Sequence, residues 1–247
     1  MKFKSIMFAF TGALLSIDAS AREVFESSEY QVSLIELYTS EGCSSCPPAD
    51  RWLSKLKAQQ GLWKSFIPVA FHVDYWNYIG WADPYASRSN SQRQRRYAVE
   101  YGENTVYTPG LRLNGKEWRR WRKSTGLPID PMVLSGKLTL TFDADGSFEA
   151  IFEQSAELER VQLSIALLGM GLTQSVTRGE NKGKTLTHDF VVLDFATFAS
   201  SGENEWRGQL MKPDVSVTEL AIAAWVSKAG RLTPIQAVGG PIVFENP

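Results

Sequence analysis

The sequence predicts an α/β fold in which a strand–helix–strand unit is followed by a β-rich, sandwich-like domain. Residues 32–39 (VSLIELYT) are rich in β-branched and aromatic side chains, which favours a strand. Apolar residues at helical spacing follow in residues 49–56, and the nearly continuous apolar run at 68–73 is typical of a strand buried on both faces. These segments predict two parallel strands joined by a right-handed crossover helix.

A second helix is predicted after this unit. Asp83 and Pro84 are expected to begin it, because Asp is a common N-cap and Pro favours the first helical position. Gly102 is expected to end it, and Asn114-Gly115 predicts a tight hairpin beyond it. Four arginines of this helix are expected to form a solvated face: Arg88, Arg93, Arg95 and Arg96.

The second half of the chain has the pattern of an antiparallel sandwich. Two prolines and a glycine within residues 125–131 indicate a linker. Short runs of alternating polar and apolar residues beyond it predict strands. They cover residues 137–143, 147–153, 161–168, 185–195 and 219–227. We therefore expect a first domain over 22–130 and a β-rich domain over 131–247.

The first 21 residues are typical of a signal peptide. Lys2 and Lys4 precede an uncharged apolar stretch at 6–17, and Ala19-Ser20-Ala21 has the small-x-small pattern of a cleavage site. We therefore expect a periplasmic or secreted protein without stable membrane insertion after cleavage. A formal net charge of −1 offers no general attraction for nucleic acid, so no nucleic-acid partner is expected.

The chain has two cysteines, Cys43 and Cys46. A disulfide between such close neighbours closes a very small loop and adds little stability. Cys43 stands where the predicted helix begins, and unpaired backbone N–H groups there stabilise a thiolate. Cys46 is one turn further on, within reach of a mixed disulfide at Cys43. The spacing therefore indicates a redox pair.

Several motifs carry a family resemblance. They are ELYTSEGCSSCPPAD at 36–50, HVDYW at 72–76, VYTP at 106–109 and RGENKGKTLTH at 178–188. With them, residues 32–118 resemble a thioredoxin-like domain. The chain is more closely similar to an uncharacterised family of secreted thioredoxin-like proteins, which includes the motif at 178–188.

The resemblance implies roles for five residues. Cys43 would be the nucleophile and Cys46 the resolving thiol. Pro109 would follow a cis peptide bond, and Thr108 would offer its backbone to the substrate. Glu36 would be the buried acid that accepts a proton from the resolving thiol, if the intervening loop is one residue longer in this chain; the alternative for Glu36 is a solvent-facing strand residue. This implies an exported thiol–disulfide oxidoreductase without a cofactor, acting on extracytoplasmic protein or small thiol substrates with an unidentified redox donor.

Two alternatives stay open. Cys43 and Cys46 with His72 and His188 would make a Cys₂His₂ set for copper or zinc binding and delivery. The spacing does not bring the two histidines together, and His72 in an apolar strand is typical of a core residue.

The other alternative is a non-catalytic envelope-binding protein. Four aromatic residues would then form a peptide-binding wall rather than cover a core edge: Tyr75, Trp76, Tyr78 and Trp81. The loop at 178–184 would hold an anion or form a plain hairpin.

Overall fold

A computed structural model describes residues 22–124, 126–155, 160–200, 203–213, 217 and 219–244. The predicted signal peptide lies outside these residues. Within them, no helix is both long and apolar enough to cross a bilayer. The same residues form fourteen strands, two α-helices and three short 3-10 helices.

Strands are the main elements of the described residues. The strands are β1 Arg22–Glu26, β2 Ser33–Thr39, β3 Phe66–His72, β4 Gly110–Leu113, β5 Lys116–Glu117, β6 Gly136–Asp143, β7 Ser147–Gln154, β8 Val161–Met170, β9 Leu172–Ser175, β10 Thr185–His188, β11 Val191–Ala199, β12 Glu205–Gln209, β13 Glu219–Lys228 and β14 Pro234–Ile242. The α-helices are α1 Pro47–Ser54 and α2 Arg88–Tyr101. The 3-10 helices are Lys55–Ala58, Asp74–Ile79 and Arg119–Lys123.

An eight-stranded sheet forms the centre, in the order β14-β13-β8-β11-β3-β2-β4-β5. Strands β2 and β3 run parallel and in register, so that Thr39 lies opposite His72 at their carboxyl ends. Strand β11 also pairs in parallel with β3, where Val191 lies opposite Ala70. The remaining neighbours in this sheet are antiparallel.

The two faces of this sheet are covered by different elements. On β2, Ile35 and Leu37 pack with α1, in a cluster that includes Leu53. Leu34 and Tyr38 point to the opposite face, because side chains alternate along a strand, and they pack with Tyr97 of α2. A four-stranded sheet, β1-β6-β7-β12, packs on strands β8, β13 and β14 around a separate core.

The predicted fold class is wrong. The sequence predicts a thioredoxin-like α/β domain followed by a β-rich domain, whereas strands from both halves of the chain share one sheet. Strand β3 comes from the first half, and its neighbour β11 comes from the second. Strand β1 likewise pairs with β6 across the expected division. The described residues are mostly β-structure. The sequence did not predict the shared sheet because periodicity reveals strands but not the partners that complete their hydrogen bonds.

The local sequence explains where each of the two α-helices begins. Pro47 and Pro48 occupy the first positions of α1, where backbone N–H groups have no intrahelical partner. Helix α2 begins after Ser87, whose hydroxyl accepts the Asn90 N–H at 3.1 Å. The expected start at Asp83 is therefore wrong. The expectation of a solvated arginine face is wrong for Arg93, which is buried.

The contact between the two large sheets requires glycine at position 240. A methyl group there would lie 2.4 Å from Cε1 of Phe25, a residue of β1. We expect Gly240→Ala to lower the free energy of unfolding by about 1–3 kcal/mol through overpacking. Chemical denaturation of both variants measures this against Gly126→Ala, because a methyl at Gly126 has no atom within 4 Å. Equal losses in the two variants would contradict the prediction.

Candidate functional site

Cys43 and Cys46 are joined by a disulfide at the start of α1, with their Cα atoms 5.4 Å apart. Cys46 is the N-cap of the helix, and its carbonyl accepts the N–H groups of Ala49 at 2.7 Å and Asp50 at 3.2 Å. Both cysteines have 0% of their surface exposed. The sulfur atoms therefore lie at a helix start, as expected, but under other parts of the chain.

The loop at 178–184 covers one side of the disulfide. It joins β9 to β10, and Asn181 donates hydrogen bonds to the carbonyls of Glu41 at 2.8 Å and Cys43 at 3.0 Å. The Glu180 carboxylate accepts the Ser44 N–H at 3.0 Å, which lowers the pKa of Glu180. This hairpin is thus anchored to the segment that carries Cys43.

Trp76 packs against the residue before Cys43. A methyl at Gly42 would lie 2.9 Å from the Trp76 Cβ, so this close approach requires glycine next to Cys43. The Trp76 indole donates to the Thr108 hydroxyl at 2.7 Å, and the Thr108–Pro109 peptide bond is cis. Trp76 therefore connects Thr108 and Pro109 with the cysteine segment. Burial also raises the pKa of neighbouring Tyr75 to about 12.

Glu36 is buried, so the solvent-facing alternative is wrong. Its carboxylate pairs with Arg93 at 2.8 Å and accepts the Tyr97 hydroxyl at 2.5 Å. It shares the sheet face of Leu34 and the α2 contacts, whereas α1 lies on the other face. Burial alone would lower the pKa of Arg93. The Glu36 carboxylate outweighs this effect, so the pKa of Arg93 is raised. The structure thus places Glu36 in an ion pair between β2 and α2.

Beside the disulfide, on the face of α1, lies a cluster of buried ionisable side chains, which we call the acid–base cluster. Its members are Glu41, Asp50, His72, Asp83 and His188. It occupies the carboxyl ends of β2 and β3, where open parallel sheets commonly hold ligands and reactive groups.

His188 connects the two segments that flank the cysteines. Its Nε2 lies 3.1 Å from a Glu41 oxygen, and Glu41 stands two residues before Cys43. Its Nδ1 lies 3.9 Å from an Asp50 oxygen, and Asp50 is one helical turn after Cys46. Asp50 also accepts the Thr39 hydroxyl at 2.7 Å.

Asp83 and His72 form the other half of the cluster. The Nδ1 of His72 lies 2.7 Å from an Asp83 oxygen, and the same oxygen accepts the Glu41 N–H at 2.8 Å. The other Glu41 side-chain oxygen accepts the Trp81 indole N–H at 2.7 Å. Within the residues the structure describes, Nε2 of His72 and Nδ1 of His188 are buried without a hydrogen-bond partner.

Burial and pairing shift the pKa values in this cluster in opposite directions. Burial raises the pKa of Asp50 and outweighs the nearby histidines, which lower it. Burial alone would lower the pKa of His72, but the Asp83 carboxylate outweighs it and the pKa is raised. For Asp83 burial would raise the pKa, but His72 and two backbone N–H groups lower it. Pairing thus favours the charged forms of His72 and Asp83, whereas burial favours the neutral form of Asp50.

The sequence did not indicate that the histidines meet. Their ring centroids lie 4.9 Å apart, because His72 ends β3 and His188 ends β10. The motifs that carry the family resemblance already contain three members of the acid–base cluster, Asp50, His72 and His188. Among the described residues, no three His, Cys, Asp or Glu side chains are arranged to hold a metal ion.

The His72–Asp83 pair predicts a pH-dependent stability. A raised histidine pKa adds stability that is complete below the unfolded value of about 6.5 and is lost as the pH rises through the folded value. Asp83 stays ionised across this range because its pKa is lowered. We therefore expect His72→Asn to lower the free energy of unfolding by about 3 kcal/mol at pH 6, and by less at pH 8.

Chemical denaturation at both pH values measures the difference between the two proteins. Asp143→Asn, which breaks the exposed Arg22–Asp143 ion pair, is the control and should give the same small loss at each pH. A loss that is independent of pH in His72→Asn would contradict the assignment of charge to His72.

Two solved structures are similar in fold to this chain. A crystal structure of a protein from Agrobacterium tumefaciens is 24% identical with a TM-score of 0.59, and the match covers 90% of this chain and 98% of that one. HBP35 of Porphyromonas gingivalis is 11% identical with a TM-score of 0.53, and the match covers 87% and 76% of the two chains. These likenesses show the fold alone.

Among curated proteins, none matches this chain. A family model does match, over residues 34–227, which is well over half of the sequence and includes all the motifs quoted above. The chain therefore belongs to the family described as "Protein of unknown function (DUF1223)".

Proposed function

We propose that this protein performs thiol–disulfide exchange through Cys43 and Cys46. The observation that carries the proposal is a disulfide between residues three apart at the first turn of α1. Such a bond closes too small a loop to contribute much stability, so chemistry explains it better than structural reinforcement does. The positive end of the helix dipole lies at the start of α1 and favours the thiolate that exchange requires.

The proposed roles follow the order of the two residues. Cys43 precedes the helix and is the nucleophile, and Cys46, at the N-cap, is the resolving thiol. A cavity of about 540 Å³ lies beside Ser44, with Arg51 and Lys184 in its lining. We assign this cavity as the approach for a thiol or disulfide substrate. Thr108 and Pro109, next to Trp76, are proposed to contact the substrate backbone.

The proposed setting is outside the cytoplasm. It rests on the signal-peptide pattern of residues 1–21. Substrates are proposed to be thiol or disulfide groups of extracytoplasmic proteins, with a separate protein or small thiol as the redox donor.

Thiol titration and insulin reduction test the chemistry. We expect the protein to show two thiols after treatment with dithiothreitol and to catalyse reduction of insulin disulfides. Cys43→Ser should abolish this activity, and Cys46→Ser should accumulate a mixed disulfide at Cys43. Ser44→Ala, which leaves both sulfur atoms and the backbone contact with Glu180, is the matched control and should remain active.

The outcomes separate the hypotheses. A disulfide that stays closed under strongly reducing conditions, with no insulin reduction, would refute the proposal and favour a non-catalytic binding protein. Adducts formed only through Cys46 would reverse the roles of the two cysteines.

The buried sulfur atoms give a second prediction. Cys43 has no exposed surface, and we propose that a substrate reaches it by displacing the loop at 178–184, which Asn181 anchors with two hydrogen bonds. At about 1 kcal/mol for each bond, Asn181→Ala should speed the reaction of the disulfide with dithiothreitol by about 10- to 30-fold. Stopped-flow kinetics measure the rate. Lys182→Ala, an exposed change in the same loop, should have no effect, and equal rates in all three proteins would show that the loop does not limit access.

A further inference from the structure

A strongly basic stretch of the chain lies at the edge of the eight-stranded sheet, where β5 ends. Residues 116–123 (KEWRRWRK) contain five cationic side chains and one carboxylate, whereas the whole chain has a formal net charge of −1. All five cations are exposed. The proposed thiol–disulfide exchange does not use these residues, which we call the basic segment.

Tryptophan packing fixes the basic segment to the core and leaves its cations outside. The Trp52 ring of α1 contacts the rings of Trp118 and Trp121, with centroids 5.4 Å and 5.7 Å away. Leu127 and Ile129, from the chain that follows, pack into the same cluster. The indoles therefore point inward, and the charged ends of the neighbouring side chains are held in solvent.

Most of the cations in the basic segment have no counter-charge within the protein. Glu117 is the carboxylate of the segment, and it pairs with Arg119 at 2.8 Å and accepts the Tyr107 hydroxyl. Among the residues that the structure describes, the other four cations form no ion pair with a carboxylate: Lys116, Arg120, Arg122 and Lys123. Their charge is therefore free to attract an anionic partner.

The cations of the basic segment border a cavity of about 720 Å³. Four of them line it, and no described residue of the lining is acidic: Arg119, Arg120, Arg122 and Lys123. Guanidinium groups bind phosphate oxygens through paired hydrogen bonds, and an ammonium adds a compact positive charge. The cavity therefore suits a phosphate group.

An exposed apolar run follows the basic segment in the chain. Met132, Val133 and Leu134 have 69%, 40% and 60% of their surface exposed. Backbone pairing holds this run in place, because the Gln31 N–H donates to the Val133 carbonyl at 2.8 Å and Tyr30 forms a bridge with Leu134. Single exposed apolar residues are common, but three in succession are the kind of patch that marks an interaction site.

The basic segment and the apolar run lie close together. Pro128 lines the basic cavity, and Met132 is four residues further along the chain. Four residues span at most about 14 Å. A bilayer that contains anionic lipids offers phosphates at its surface and acyl chains directly beneath them. A soluble polyanion offers the charge but no apolar medium for the side chains of Met132 and Leu134.

From this juxtaposition we propose that the basic segment and the apolar run bind the surface of an anionic phospholipid membrane. The cations contact lipid phosphates, with a headgroup in the basic cavity, and the apolar run enters the boundary between headgroups and acyl chains. The contact is peripheral and reversible, because charge and a few apolar side chains provide it rather than a spanning helix. It does not depend on the proposed exchange reaction.

Co-sedimentation with lipid vesicles tests this proposal. Residues 22–247 are used, because the apolar stretch at 6–17 would itself bind lipid and every described strand and helix lies beyond it. Vesicles of phosphatidylcholine and phosphatidylglycerol in equal amounts should bind the protein at about 0.1 M salt, and pure phosphatidylcholine vesicles should not. Binding should weaken strongly at about 1 M salt, where charges are screened within about 3 Å.

A pair of double variants tests the basic segment. Arg120→Gln with Lys123→Gln removes two exposed cations and should weaken binding to the mixed vesicles by about 30-fold. Arg96→Gln with Lys182→Gln is the matched control, because it removes the same charge from two exposed residues outside the segment. The control should bind as the unaltered protein does. Equal affinities of the two double variants would overturn the proposal.

A pair of methionine variants tests the apolar run. Met132→Ser should weaken vesicle binding by about 5- to 10-fold, because the apolar side chain no longer enters the membrane. Met211→Ser is the matched control, since Met211 is 78% exposed and lies outside the run, and it should bind normally. Equal effects of the two changes would contradict insertion of the run. Binding to heparin without binding to the mixed vesicles would overturn the proposal in favour of a soluble polyanion.

Discussion

The parallel pairing of β3 with β11 is the contact on which the rest of the site depends. Val191 begins β11 opposite Ala70 of β3, and His188 ends β10 three residues earlier. This pairing fixes the β9–β10 hairpin against α1, so that residues from both halves of the chain meet beside the disulfide. Without it, Cys43 and Cys46 would keep their helix but would lose both the cover formed by Asn181 and the imidazole of His188.

The same arrangement explains why the site tolerates so many buried ionisable groups. Isolated charges are expensive in a protein interior, whereas opposite charges with complementary hydrogen bonds are tolerated. In this cluster two histidines lie among three carboxylates, and backbone N–H groups and an indole donate further hydrogen bonds to the oxygens. Glu36 follows the same rule on the opposite face, where Arg93 packs over aromatic rings including Phe71 and Trp225.

The two faces of the sheet therefore have different tasks. The α2 face holds an apolar core with the Glu36–Arg93 pair inside it, and this pair ties the helix to β2. The α1 face holds the disulfide and the acid–base cluster. In the proposed exchange reaction, the substrate displaces the loop at 178–184 that Asn181 anchors beside Cys43.

Local sequence determined the elements around the cysteines. β-Branched runs, the Pro-Pro pair and the Cys-x-x-Cys spacing each act over a few residues, and they correctly indicate β2, α1, β3 and the position of the cysteines at a helix start. The pairing of strands and of distant side chains was decided only by the tertiary structure. Strand periodicity does not encode which edge a strand joins, so the single eight-stranded sheet, the meeting of His72 with His188 and the pairing of Glu36 with Arg93 depend on contacts between residues far apart in the chain.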